Sequence, residues 1–294
     1  MYLRVKRGGG KDNQSISFEE LRTQVLFLSQ LFRGEFIYPT EGLAANLENT
    51  LRGLEVDKVI ELVRDNDGKI ITVGLSDIER TAGRENYDFY CFLIWPFIEA
   101  SWLGAVSLMC LTPPLGHTGD LWIEVTKAQN SAQLVSSIGT FDASYTDRYQ
   151  LGKTLYHQGD LSYFEAVNKE TLKNAYQRFE EEGIVLVTKS RGSKAPPKFR
   201  LAPDWVPRRD PESGKIKAEG RLWDFIEMIA QSRREGKNRR DGATVSTRVL
   251  RLTEQLGKDL FRAANGDAKL SDEDEAMMRK RKGRRRGMQS IAHL

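Results

Sequence analysis

Between Phe89 and Thr112 the chain reads FYCFLIWPFIEASWLGAVSLMCLT, 24 residues with a single charge, Glu99. A run of this kind dictates the fold around it, because it must be enclosed by protein or by lipid. About 20 apolar residues suffice to span a bilayer. Two residues argue for protein instead. Pro96 removes a helical hydrogen bond near the middle of the run, and Glu99 would be costly at bilayer depth. The expectation is a kinked helix buried in a core, with an interfacial helix or a membrane span as alternatives. Pro113-Pro114 ends the segment. The rest of the chain must then supply apolar faces to cover it.

Composition allows that. Only 39% of the 294 residues are apolar, below the roughly 45–50% of an average globular domain, but 13 Phe, 9 Tyr and 5 Trp can fill a core. The length fits one large domain or two small ones. Cys91 and Cys110 both lie in the apolar run and read as buried thiols, which excludes a disulfide scaffold. A net charge of +4 identifies no class of partner; the distribution of charge says more.

Ser17 to Phe32 predicts a helix, opened by a Ser17–Glu20 capping box and carried by Leu21, Val25, Leu28 and Phe32. A second helix is expected over Leu43–Arg64, then a turn at Asp67-Gly68 and a strand over Lys69–Val73. Further helices are expected over Asp120–Gly139, Thr146–His157 and Asn168–Glu182, the last stopped by Gly183. Ile184–Thr188 and Lys198–Leu201 read as strands on either side of a basic turn, so helix, strand, turn and strand form a winged-helix-like segment. Leu222, Phe225, Ile226 and Ile229 mark one more helix; Val245, Val249, Leu252, Leu256 and Leu260 mark the last. The fold class expected is mainly α: a helical bundle with short β-hairpins and a winged-helix-like segment. Three regions follow: a flexible start over 1–14, a helical domain over 15–265, and a charged tail over 266–294.

The start contains Gly8-Gly9-Gly10 and lacks the apolar stretch of a secretory signal. The tail holds an acidic stretch, Asp272–Glu275, and then Arg279–Arg286, with seven basic side chains in eight positions. It ends Ala292-His293-Leu294, a small residue, a basic one and leucine, the pattern of a peroxisomal import tripeptide.

Sites of chemistry are sparse. With histidine only at 117, 157 and 293, and two cysteines, no zinc-type ligand spacing can be assembled, and no metal or cofactor site is expected. Gly8–Gly10 lacks the lysine and serine of a phosphate loop. Each of His117 and His157 is followed three residues later by an aspartate, Asp120 and Asp160. A carboxylate there could orient an imidazole base, but Asp beside a glycine turn more often caps the next helix. Arg233, Arg234, Lys237, Arg239 and Arg240 form a possible anion-binding cluster, as do the basic wing and the tail block. A winged-helix-type nucleic-acid-binding protein with a basic tail is the alternative these basic segments suggest.

Four strings together carry a family resemblance: Val25–Ile37, Phe89–Pro113, Leu151–Ala175 (LGKTLYHQGDLSYFEAVNKETLKNA) and Gln231–Arg240 (QSRREGKNRR). They resemble the C-terminal region of the glycerol-3-phosphate / dihydroxyacetone-phosphate acyltransferase family, across roughly Ser15–Ala264. The family implies acyl transfer from a fatty acyl-CoA thioester to the hydroxyl of a small triol phosphate or triose phosphate, with a His-x4-Asp pair as general base. Here the pair is missing. Five positions after His117 stands Trp122, five after His157 stands Ser162, and His293 has one residue after it. Pro39-Thr40-Glu41-Gly42 is similar to the family's phosphate-binding string but has an extra Thr and no following arginine. No catalytic residue transfers. The resemblance therefore implies a supporting C-terminal domain, whose partners are an acyltransferase catalytic domain and the membrane surface, in a truncated or separately made polypeptide. The tripeptide at 292–294 leans toward the peroxisomal, ether-lipid branch.

Overall fold

The computed structural model describes residues 15–36, 42–82, 87–117, 122–125, 151–188, 197–236 and 242–264. Eight helices occur there: α1 (Phe18–Leu31), α2 (Leu43–Val56), α3 (Asp77–Ala82), α4 (Tyr87–Leu108), α5 (Leu151–His157), α6 (Lys169–Glu181), α7 (Arg221–Gly236) and α8 (Gly242–Ala264). Six strands accompany them: β1 (Ser15–Ser17), β2 (Ile60–Arg64), β3 (Ile70–Leu75), β4 (Ile123–Glu124), β5 (Val185–Thr188) and β6 (Lys198–Leu201). The strands form two antiparallel sheets, ordered β1-β3-β2 and β4-β6-β5. The protein is mainly α with short hairpins.

The apolar run forms the central element. α4 continues unbroken through Pro96 and tightens into a 3-10 turn at Met109–Leu111. By length and apolarity Leu93–Leu111 could cross a membrane, yet most of it is enclosed. Ile98, Leu103, Val106, Leu108 and Met109 are fully buried among residues of α6, α7, α8 and the β4-β6-β5 sheet. A helix apolar on every side is what burial on every side requires. α7 runs beside α4, and α8 passes the 3-10 turn. Gly257 on α8 allows that passage: a Cβ there would stand 2.9 Å from the Cys110 carbonyl oxygen. The Cys110 thiol is free, and burial pushes its pKa well above the usual range.

A second, smaller core lies between α1, α2 and the β1-β3-β2 sheet, built from Ile16, Phe18, Leu21, Leu47, Leu51, Ile60 and Val73. α1 joins the two cores, since Phe18 and Leu21 enter the small one while Leu31 and Phe32 enter the large one. Its expected start is observed: the Ser17 hydroxyl accepts from the Glu20 backbone N–H at 3.2 Å.

Two expectations require correction. The helix expected over Leu43–Arg64 ends at Val56, and Ile60–Arg64 is strand β2. Lys58 adopts a φ of 57°, which breaks the helix, and the β-branched run Val59-Ile60 and Val63 then pairs with β3. Leu62 lies three residues beyond Val59, so an accidental helical spacing had joined the two elements. Ile123–Glu124, expected inside a helix over Asp120–Gly139, is strand β4 against β6; residues 126–139 lie outside the described residues.

The Asp67-Gly68 turn is as expected. Asp65 Oδ1 accepts from the N–H groups of Asp67 and Lys69, and Gly68 has φ 81°. α6 has its N-cap at Asn168, whose side chain accepts from Glu170 N–H, and Gly183 follows at φ 67°. α6, β5 and β6, with β4 beyond β6, give the winged-helix-like segment its helix and its sheet. The basic turn between the strands, at residues 189–196, is outside the described residues, as are residues 1–14 and the tail from 265.

Candidate functional site

The sequence-marked charges converge on α4. Glu99 is buried, and its Oε2 accepts from the backbone N–H groups of Ser162 (2.8 Å) and Tyr163 (3.0 Å). Its Oε1 lies 3.8 Å from Nε of Arg233 on α7. The Arg233 guanidinium rests on the Trp102 ring, 3.8 Å from its centroid, and donates to the Asp160 carbonyl oxygen. Asp160 is itself buried and accepts from Arg248 of α8 at 2.6 Å. One ionic cluster thus ties α4, the turn after α5, α7 and α8 together. The glutamate that made a membrane position costly is stabilised here by two donors and a cation.

This placement decides the role of several candidates. The Asp160 carboxylate accepts from Arg248, and the cap residue of the 3-10 turn at Phe164–Val167 is Tyr163. His157 is solvent-exposed, with its ring 5.9 Å from that of Tyr156. His117 is half-buried, and Asp120 lies outside the described residues. Arg233 turns into the core, where protein groups hold its charge. Lys237, Arg239 and Arg240, like 292–294, are outside the described residues, and nothing is described of the Arg234 side chain.

α6 directly precedes the β5-β6 hairpin of the winged-helix-like segment. Among its described side chains the exposed ones are Glu170, Lys173, Gln177, Glu180 and Glu181, with more acids than bases. Arg178, packed at its edge, is taken by Glu181 (2.9 Å) and Glu182, and this contact holds the Glu181 carboxyl below the usual carboxylate range. Nucleic-acid phosphates would meet repulsion there.

A second ionic centre lies at the far end of α4. Arg209 donates from Nε to the Pro113 carbonyl (2.6 Å), from Nη2 to that of Thr112 (3.0 Å), and from Nη1 to Gly214 O (2.8 Å) and Glu254 Oε1 (2.7 Å). The other oxygen of Glu254 accepts from Ile216 N–H at 3.2 Å. Nearby, Asp210 accepts from the N–H groups of Glu212 (2.8 Å) and Ser213 (3.1 Å), which hold its carboxyl below the usual range and shape the turn. Above this pair opens a cavity of about 900 Å³ between the 209–216 turn, Leu115 and one face of α8. Nothing in the sequence pointed to it, because its walls come from segments about 100 and 140 residues apart.

The family model for the glycerol-3-phosphate acyltransferase C-terminal region matches residues 2–188, more than half of the chain. The chain belongs to that family. The protein is thereby related to the glycerol-3-phosphate acyltransferases, as the strings at Val25, Phe89 and Leu151 implied. The fourth string, Gln231–Arg240, lies beyond the matched segment. No curated protein matches the chain significantly, and neither does any solved structure. In this acyltransferase-family domain the matched segment supplies Glu99 and Asp160, and the part beyond it supplies their cations, Arg233 and Arg248. The cavity is built almost wholly from the later part, Arg209–Phe261.

Proposed function

We propose that the chain is the non-catalytic helical part of a glycerol-3-phosphate or dihydroxyacetone-phosphate O-acyltransferase, supporting the acyltransferase domain and meeting the membrane surface. Membership of the C-terminal-region family carries this reading. It is supported by the absence of any His-x4-Asp pair from the sequence, the arrangement by which the family takes the proton from an attacking hydroxyl. Acyl-CoA and the triose or triol phosphate are bound by the catalytic partner. An exposed apolar patch supports the contact role. Leu93 and Phe97 sit one turn apart on α4, and the Phe36 ring lies 5.1 Å from that of Phe97, with Leu93 half-exposed.

The test is an acyl-transfer assay. The purified chain, given palmitoyl-CoA with glycerol 3-phosphate or with dihydroxyacetone phosphate, is expected to form no ester above the rate without protein. Sustained turnover by the chain alone would overturn the reading. The location is a separate part of the proposal: Ala292-His293-Leu294 directs the protein to peroxisomes. A fluorescent protein carrying residues 283–294 should collect in peroxisomes and become diffuse when Leu294 is deleted. Diffuse signal from the intact fusion would remove this part alone.

A further inference from the structure

The cavity over the Arg209–Glu254 pair has the size of a small-molecule site, about 900 Å³ against a usual range of roughly 300–1,000 Å³. Its α8 wall is one helical face, because Leu250, Arg251, Glu254, Gln255 and Lys258 follow at spacings of three and four. Arg209 and Glu254 neutralise one another at its base, and three protein carbonyls and a backbone N–H occupy their remaining contacts. That leaves Lys215, Arg251 and Lys258 as the lining charges; Lys215 also feels the Asp210 carboxylate of the neighbouring turn, and Arg251 and Lys258 stand exposed on α8. Apolar side chains line the same cavity: Leu250 and Phe261 from α8 and Leu115 from the segment after α4. Three cations around an apolar hollow suit a molecule with a doubly charged head and a hydrocarbon body.

The geometry points to a binding site for a single-chain phosphate monoester. The phosphate sits among Lys215, Arg251 and Lys258, where arginine offers paired donors and the two lysines add charge. The alkyl chain lies against Leu250, Leu115 and Phe261, out of water. A carboxylate would use less of the positive charge, and an uncharged lipid would use none. Inorganic phosphate would leave the apolar wall wet. A concave site between two walls suits one molecule rather than the plane of a bilayer. This assignment rests on the lining alone and does not depend on the acyltransferase reading.

Calorimetry on the full chain tests it, with decyl phosphate below its micelle concentration as the probe. One molecule should bind per chain, about tenfold or more tighter than inorganic phosphate, while decyltrimethylammonium should not bind. Arg251→Ala/Lys258→Ala should weaken decyl phosphate about tenfold or more with an unchanged urea midpoint, since both side chains are exposed. Lys217→Ala, at a residue outside the lining and beside Glu219, should leave it unchanged. Equal affinity for inorganic phosphate, equal binding of the cationic amphiphile, binding only to phosphatidic-acid vesicles, or indifference to the double substitution would each overturn the assignment.

Discussion

Arg233→Met is expected to lower stability by about 3–5 kcal/mol, read as a fall in the urea midpoint without a change in slope. The side chains of Arg233 and Glu99 are 6% and 5% exposed, so water cannot replace a lost partner. Methionine fills much of the same volume on Trp102 but removes the cation that faces the Glu99 carboxylate, whose Oε2 still accepts from the N–H groups of Ser162 and Tyr163. An uncompensated buried charge is the costly product, whereas the intact pair contributes little over an apolar one. Adding Glu99→Gln should therefore recover more than half of the loss. The glutamine oxygen still accepts from both N–H groups, and the charge is gone. A cost below about 1 kcal/mol for Arg233→Met, or a double variant worse than the single, would show that the cluster does not bear this strain.

Phe179→Ala should cost about 3–5 kcal/mol. The ring is fully buried, packed edge-on against Tyr176 (6.1 Å between centroids) and Phe225 (5.8 Å), and it covers α4 at Gly104. Its removal opens a cavity where α4, α6 and α7 meet, and few neighbours can collapse into it. The site offers a second check. A Cβ on Gly104 would approach Phe179 Cε2 at 3.2 Å, so Gly104→Ala alone crowds the ring. In the Phe179→Ala background the same methyl enters empty space. The two substitutions should be non-additive, with Gly104→Ala less harmful, or stabilising, beside Phe179→Ala. Additive effects in thermal melts would mean that the backbone, not the ring, sets the distance between α4 and α6.

Much of the architecture was legible before any coordinates. α1 was marked by Ser17 and its heptad-like apolar spacing, α6 by Asn168 and Gly183, and α7 and α8 by long amphipathic patterns. Caps and periodicities of this kind are local physics, decided within one or two turns. Where the reading failed, pairing between strands decided the outcome. Ile60–Arg64 is strand because Lys58 ends the helix and β3 is there to pair with it, and Ile123–Glu124 because β6 is.

Charged residues divide in the same way. The sequence by itself determined that the 89–112 run had to be enclosed and that Glu99 needed partners inside it, since an unpaired carboxylate in an apolar helix is too costly. It also carried the strings that place the chain in its acyltransferase family. Only the tertiary structure decided who those partners are. Arg233, which reads in the sequence as part of an anion-binding cluster, is turned onto Trp102 and Glu99, and Asp160 meets Arg248 of a distant helix. The cavity is likewise a product of packing, because Lys215 and Arg251 share a wall only once the 209–216 turn is pinned to α8 by Arg209 and Glu254. Local sequence sets which residues prefer helix or turn; which charges neutralise one another depends on which surfaces meet, and that is settled only when the chain closes on itself.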